Sequence, residues 1–116
     1  MKKILIIDND RSTLEVLELI FKEDYEVKTV EHSISFFKVV KTFKPDLVIV
    51  DYLLSEANTG YDICEKLGSN INTKHIPIII FSVMNNLVLP HHLKHCYFIP
   101  KPFDLDHLTT QVAKLI

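Results

Sequence analysis

Three charged residues follow apolar segments of the chain, and their types suit phosphoryl chemistry. Asp8 closes KKILIID, Asp51 closes PDLVIVD, and Lys101 follows CYFIP. If these segments are parallel strands, their carboxyl ends meet at the edge of the sheet where α/β proteins gather ligands. Two carboxylates would hold a hard cation there, and a carboxylate can itself accept a phosphoryl group. An ammonium beside them would offset the negative charge of that group.

The pattern of apolar residues predicts strands and helices in alternation. Strands are predicted at 4–7, 25–30, 47–50, 78–81 and 97–99. Helices are predicted from about residues 11, 33, 60 and 104. Asp10 precedes the first helix and is its predicted N-cap. Because crossovers between parallel strands are right-handed, this order predicts an α/β fold with a doubly wound five-stranded parallel sheet, flavodoxin-like, in the order 2-1-3-4-5.

Size and composition indicate one globular domain spanning residues 1–116. Apolar residues make up 47% of the chain, charged residues 24%, and the net charge is only -2. No broad basic field for nucleic acid or an anionic membrane is therefore expected. The two cysteines, Cys64 and Cys96, are far apart and suit a reducing compartment better than a disulfide framework. The apolar runs are too short for a secretory signal or a membrane span, so we expect a cytoplasmic protein.

Five features, each at the end of the appropriate strand or within it, resemble the receiver domain of bacterial two-component response regulators. They are Asp8, Asp51, Ser82, Phe98 and the pair Lys101-Pro102. The resemblance covers essentially the whole chain. It implies a CheY-like phosphorelay protein that is phosphorylated by a sensor histidine kinase or a phosphotransfer protein and then switches its binding to a downstream protein. It implies only Mg²⁺-dependent self-phosphorylation and autodephosphorylation, not an enzyme acting on an external substrate.

The resemblance also implies a role for individual residues. Asp51 would be the phospho-acceptor, and Lys101 and Ser82 would contact phosphoryl oxygens. Ser82 and Phe98 would form the switch, in which the aromatic ring turns inward when the hydroxyl moves towards the phosphoryl group. The Mg²⁺ ligands would be Asp8, Asn9, Asp51 and the backbone carbonyl of Leu53. The peptide bond before Pro102 would be cis.

The chain departs from the family pattern beside the expected metal site. Asn9 stands where the family usually has a second acidic residue, so one formal charge is lost and we expect weaker Mg²⁺ binding. Asp10 is a possible replacement ligand, or it only caps the first helix. In the loop after Asp51, Ser55 replaces the usual Pro, and Gly60 comes one residue later than usual.

A larger departure lies between Ser82 and Lys101. This segment is short, lacks glycine and contains Pro90, so the helix between the fourth and fifth strands is predicted to be shortened or irregular. The same segment contains His91, His92, His95 and Cys96. His91 and His95 are four residues apart. On a helix this spacing would place their two imidazoles on one face, an arrangement that suits zinc. The alternative is an irregular solvated segment with chance histidines, followed by a buried cysteine.

Three functions compete at this point. The first is the phosphorylatable receiver. The second is a pseudo-receiver, a phosphorylation-independent interaction module, which Asn9 favours and the intact Asp51, Ser82 and Lys101 oppose. The third, a flavodoxin-like nucleotide or flavin protein, is opposed by a chain with only two glycines and no glycine-rich phosphate loop. The chain is either a stand-alone receiver or a piece of a longer protein, and the sequence leaves both open.

Overall fold

The computed structural model describes residues 1–54, 59–83 and 92–116, and it places helices between parallel strands. Within these residues the strands are β1 (Lys3–Ile7), β2 (Glu26–Val30), β3 (Leu47–Asp51), β4 (Ile78–Ser82) and β5 (Cys96–Pro100). The helices are α1 (Arg11–Phe21), α2 (Ser33–Phe43), α3 (Gly60–Gly68) and α4 (Leu105–Leu115). Strand β5 is longer than predicted because Cys96 pairs with Ile78 and Pro100 with Ser82, which extends the ladder at both ends.

The five strands form one parallel sheet in the order β2-β1-β3-β4-β5. The predicted doubly wound, flavodoxin-like α/β fold is therefore confirmed. The interior strands β1 and β3 are fully buried from Ile4 to Ile7 and from Leu47 to Val50. Their continuous apolar sequence follows from this position, because helices cover both faces of the sheet.

Successive side chains of each strand pack on opposite faces of the sheet, and each face has its own helices. On one face α2 and α3 pack against Leu5, Val48 and Ile80. On the other face α1 and α4 pack against Ile4, Ile49 and Ile79. Because the strands pair in parallel, their carboxyl ends lie at the same edge of the sheet, where Asp8, Asp51 and Ser82 are found.

The start of α3 lies directly against the end of β3. The backbone N–H of Gly60 donates a hydrogen bond of 2.7 Å to the carbonyl of Tyr52. A Cβ atom at Gly60 would lie 3.2 Å from the Cα of Tyr52 and 3.3 Å from the carbonyl oxygen of Asp51. Since these two neighbours are backbone atoms, the close approach favours glycine, and it holds the chain beyond Asp51 near the sheet.

The predicted irregularity of the helix between β4 and β5 falls on residues 84–91, which lie outside the described residues. The same holds for Ser55 in the loop after β3. Among the helices that the structure describes, none is long and apolar enough to cross a membrane.

Candidate functional site

Asp8, Asp51 and Lys101 meet at the carboxyl edge of the sheet. The ammonium nitrogen of Lys101 lies 3.1 Å from Asp8 Oδ2 and 3.1 Å from Asp51 Oδ1. The side chains of Asp8, Asp51 and Lys101 are only 2%, 13% and 20% exposed. One ammonium therefore bridges two carboxylates in a place largely withdrawn from water.

The sheet topology places these three residues together although they are far apart in sequence. Strands β1 and β3 are neighbours, with Ile7 opposite Val50, so Asp8 and Asp51 follow adjacent strand ends. Lys101 follows β5, and its backbone N–H donates a hydrogen bond of 2.7 Å to the carbonyl of Ser82. This bond holds the start of the loop against the end of β4. The peptide bond between Lys101 and Pro102 is cis.

The electrostatics of the cluster shift the protonation of Asp51 and Lys101. Burial and the neighbouring charge of Asp8 raise the pKa of Asp51, although the ammonium of Lys101 acts in the opposite direction. For Lys101, burial alone would lower the pKa, but the hydrogen bonds and charges of Asp51 and Asp8 together raise it. Lys101 thus stays protonated, and Asp51 is a more basic carboxylate than an exposed aspartate.

Asp8 is anchored through both of its oxygens. Its Oδ1 accepts a hydrogen bond of 2.9 Å from the backbone N–H of Asp10, and its Oδ2 accepts from Lys101. Among the described residues, Asp8 and Ser82 are the polar residues that are buried, at 1% and 3% exposure. Both lie at this edge of the sheet, so this edge is where polar side chains are buried beside an otherwise apolar core.

A small cavity of about 260 Å³ opens beside Asp51, and its lining suits a hard cation. Asn9, Leu53, Ser82 and Lys101 share this lining with Asp51. Carboxylate, amide and carbonyl oxygens are the ligands that Mg²⁺ prefers. Of the residues that the resemblance implies as Mg²⁺ ligands, Asn9, Asp51 and Leu53 line the cavity, and their oxygen-bearing groups fit this ion. Asp8 is not part of the lining, but its carboxylate shares the Lys101 ammonium with Asp51.

Asn9 has a second contact that the sequence did not reveal. Its Nδ2 donates a hydrogen bond of 3.2 Å to the backbone carbonyl of Leu54. A carboxylate at this position has no proton to donate, so this contact depends on the amide. Asn9 thus links the loop after β1 to the loop after β3, next to the cavity.

Asp10 is the N-cap of α1. Its Oδ1 accepts a hydrogen bond of 3.0 Å from the backbone N–H of Ser12, and its Oδ2 accepts one of 3.1 Å from the hydroxyl of Thr13. Both oxygens are occupied at the first turn of the helix. A shift of Asp10 towards the cavity would break these two bonds and uncap α1.

The two switch residues of the prediction lie on neighbouring strands. Ser82 ends β4 and is buried, whereas Phe98 lies within β5 and is half-buried. Phe98 pairs in register with Ile80, two residues before Ser82. Its ring therefore lies on the same face of the sheet as Ile80, in the layer that contains α2 and α3.

The histidine-rich segment lies apart from this edge. Over the described parts of the chain, no group of three or more His, Cys, Asp or Glu residues is arranged to hold a metal ion. His91 lies outside the described residues. The imidazole Nε2 of His92 contacts the Glu65 carboxylate of α3 instead. Cys96 is buried and lies close to Cys64, a contact that their distance in sequence concealed.

Comparison with known protein families agrees with this fold and this cluster of side chains. The sequence profile described as the response regulator receiver domain matches residues 4–113 of the chain. The chain therefore belongs to the family of response regulator receiver domains of two-component systems.

Individual relatives agree with this assignment. The sensory transduction protein BceR of Halalkalibacterium halodurans is 31% identical over 123 residues, which cover 100% of this chain and 50% of that protein. The signal receiver domain of a signal transduction histidine kinase from Syntrophus aciditrophicus has a TM-score of 0.82 at 26% identity, covering 99% of this chain and 89% of that one.

Chemotaxis response regulator CheY4 of Vibrio cholerae has the same fold, with a TM-score of 0.87 at 18% identity, covering 100% of this chain and 99% of that chain. The chain spans between 8% and 50% of the length of the curated relatives compared with it.

The raised pKa of Asp51 predicts how the Asp51→Asn variant responds to pH. Because the folded state binds the proton more tightly than the unfolded state does, stability falls as the pH rises from about 3.8 through the folded pKa. At a pH above the pKa of Asp51 in both the folded and the unfolded state, the folded protein bears the full free-energy cost of burying the charged carboxylate. We therefore expect Asp51→Asn to raise the free energy of unfolding at pH 7, with a gain that shrinks as the pH approaches 3.8.

Urea unfolding at several pH values, in buffer without Mg²⁺, measures this difference. Asp46→Asn is a control at another aspartate, one whose side chain accepts a hydrogen bond from the backbone N–H of Lys3. A variant Asp51→Asn that is less stable than the parent at pH 7, or whose gain does not depend on pH, would contradict the account of the cluster.

Proposed function

We propose that the chain is a phosphorylation-dependent signalling receiver in which Asp51 accepts the phosphoryl group. The observation that carries this proposal is the Asp51 carboxylate beside the cavity, 3.1 Å from a protonated lysine and close to a second, buried carboxylate. A carboxylate in this setting can form an acyl phosphate, and fixed positive charge is available where negative charge accumulates.

Each residue of the cluster has its own role in the transfer of the phosphoryl group. An oxygen of Asp51 attacks the phosphorus, the bond from phosphorus to the donor breaks, and the donor leaves with the bonding electrons. Burial, which raises the pKa of Asp51, makes its carboxylate a stronger nucleophile. Lys101 exchanges its contact with Asp51 for one with a phosphoryl oxygen, and its raised pKa keeps it charged throughout. Asp8 holds the lysine in place through the second contact.

Mg²⁺ would be held by Asp8, Asn9, Asp51 and the backbone carbonyl of Leu53. When bound, the ion supplies positive charge that offsets the oxygens of the transferring group. Asp8 keeps one oxygen on the backbone N–H of Asp10, which fixes the orientation of its carboxylate. The amide of Asn9 holds the carbonyl of Leu54, next to Leu53, at the rim of the cavity.

The phosphoryl donor in this proposal is a sensor histidine kinase or a phosphotransfer protein. The likeness to the receiver domain of a histidine kinase from Syntrophus aciditrophicus supports a donor of this kind. The recipient of the signal is a downstream protein that binds the switched form. The pseudo-receiver stays the second candidate, because Asn9 removes one charge from the metal site while the rest of the cluster is intact.

Intact mass after incubation with acetyl phosphate tests the proposal directly. We expect a Mg²⁺-dependent gain of one phosphoryl group on the parent protein, because the small donor needs only the receiver's own residues. The gain should be absent from Asp51→Asn, which keeps the size of the side chain but not its nucleophile. A parent protein that gains no phosphoryl group at high Mg²⁺ would reject the proposal and favour the pseudo-receiver.

The variant Asn9→Asp separates the two roles of Asn9. Without Mg²⁺ we expect the free energy of unfolding to fall by about 1 kcal/mol, because the carboxylate cannot donate to the Leu54 carbonyl. With the added charge, the affinity for Mg²⁺ should rise at least roughly tenfold. The dependence of the unfolding midpoint on Mg²⁺ concentration measures both quantities.

Asn9→Ala is the matched control for this experiment, since it loses the same hydrogen bond but adds no charge. It should lose no more stability than Asn9→Asp does, and it should show no gain in Mg²⁺ affinity. An unchanged Mg²⁺ affinity in Asn9→Asp would show that position 9 is not part of the metal site.

The switch is tested at Phe98. We propose that the hydroxyl of Ser82 moves to the phosphoryl group and that the ring of Phe98, half-buried on the adjacent strand, turns into the space that is left. A phenylalanine ring has no hydroxyl to bond with solvent, so the inward state should be populated in part before phosphorylation. NMR contacts of the ring should shift further inward when beryllofluoride, a phosphoryl mimic, is added. Unchanged ring contacts in the parent, or an equal shift in Ser82→Ala, would reject this coupling.

A further inference from the structure

Two buried cysteines lie away from the carboxylate cluster, and the proposed function does not use them. Cys64 lies in the middle of α3 and Cys96 is the first residue of β5, with exposures of 1% and 9%. They are the two cysteines of the chain, and both thiols are free. Both belong to the core layer of α2 and α3, and both border the same cavity.

A cavity of about 290 Å³ lies next to both cysteines. It lies between α3 and the segment that leads into β5, and Cys64 and Cys96 both line it. Lys94 and His95 line it as well, so its rim is basic. The contact of His92 with Glu65 holds this segment against α3. The thiol pair is thus buried but borders a cavity, and a small reagent would have to enter this cavity to reach it.

From this arrangement we propose that Cys64 and Cys96 are a redox modification site, which forms a reversible intramolecular disulfide with a low-molecular-weight disulfide such as oxidised glutathione as the oxidant. The proposal concerns the thiols alone and stands independently of phosphorylation at Asp51.

The interaction between the two thiols sets the order of the steps. It lowers the pKa of Cys96, while the same interaction together with burial raises the pKa of Cys64. Cys96 therefore reacts first. Its thiolate attacks one sulfur of the oxidant, the S–S bond of the oxidant breaks, and one half leaves as a thiolate. Cys96 is then part of a mixed disulfide.

The second step completes the exchange. Cys64 gives its proton to solvent and attacks the sulfur of Cys96, and the other half of the oxidant leaves as a thiolate. The protein loses two electrons and two protons, and the oxidant is reduced to two thiols. The new bond ties β5, which contains Phe98, to α3, whose first residue lies against the backbone of Asp51 and Tyr52.

The experiment exposes the folded protein to oxidised glutathione, blocks the remaining thiols with N-ethylmaleimide and measures the intact mass. We expect the parent to lose two hydrogen atoms, to take up no maleimide, and to recover both thiols after treatment with dithiothreitol. Cys64→Ala should instead stop at a glutathione adduct on Cys96. Cys96→Ala should react at least tenfold more slowly, because Cys64 is the deeper thiol with the raised pKa.

Other products would overturn the proposal. These are a parent that keeps both thiols, a parent that ends as a stable glutathione adduct, and a disulfide between two molecules. A disulfide that forms only in urea would also overturn it, since it would not depend on the native contact. Because the readout is a thiol count, failure here leaves the acetyl phosphate test unaffected, and the reverse also holds.

Discussion

The Lys101 ammonium between two carboxylates is the interaction on which the carboxyl edge of the sheet depends. Its nitrogen lies 3.1 Å from Asp8 Oδ2 and 3.1 Å from Asp51 Oδ1. Without this charge, two carboxylates largely withdrawn from water would face each other, an arrangement that costs several kcal/mol in proteins. The lysine is held in turn by its backbone bond to Ser82. The contact that makes the acidic pair tolerable also places positive charge where a phosphoryl group would need it.

The parallel sheet explains why such a cluster can form from distant parts of the chain. Strands β1 and β3 are adjacent and buried on both faces, so their first polar residues emerge side by side at one edge. The close approach of Gly60 to the backbone of Asp51 and Tyr52 then keeps the following loop beside that edge. The apolar core therefore positions the polar site, and Gly60 allows the loop after β3 to pack beside it.

The parts that could be predicted from the sequence are those set by local pattern. Continuous apolar runs identify strands buried on both faces, and the residue after each run places Asp8 and Asp51 at the edge of the sheet. Contacts that depend on loop conformation or helix rotation could not be predicted. The bond from Asn9 to the Leu54 carbonyl depends on the conformation of a loop. The approach of Cys64 to Cys96 depends on how α3 is rotated about its axis. The shortened helix after β4 stays a prediction, because residues 84–91 lie outside the described residues.

On the proposed function, Asn9 would affect the binding of Mg²⁺ and of the phosphoryl group differently, because it changes the net charge of the site. Asp8, Asp51 and Lys101 together carry one net negative charge, whereas a second acidic residue at position 9 would give two. The attraction for a divalent cation is therefore weaker here. With Mg²⁺ in place, however, the same groups would carry a net positive charge, where the more acidic cluster would be neutral. On the proposed function, this chain therefore binds the ion less tightly and attracts the phosphoryl group more strongly. The neutral amide of Asn9 also avoids the charge repulsion that a carboxylate would meet at the Leu54 carbonyl.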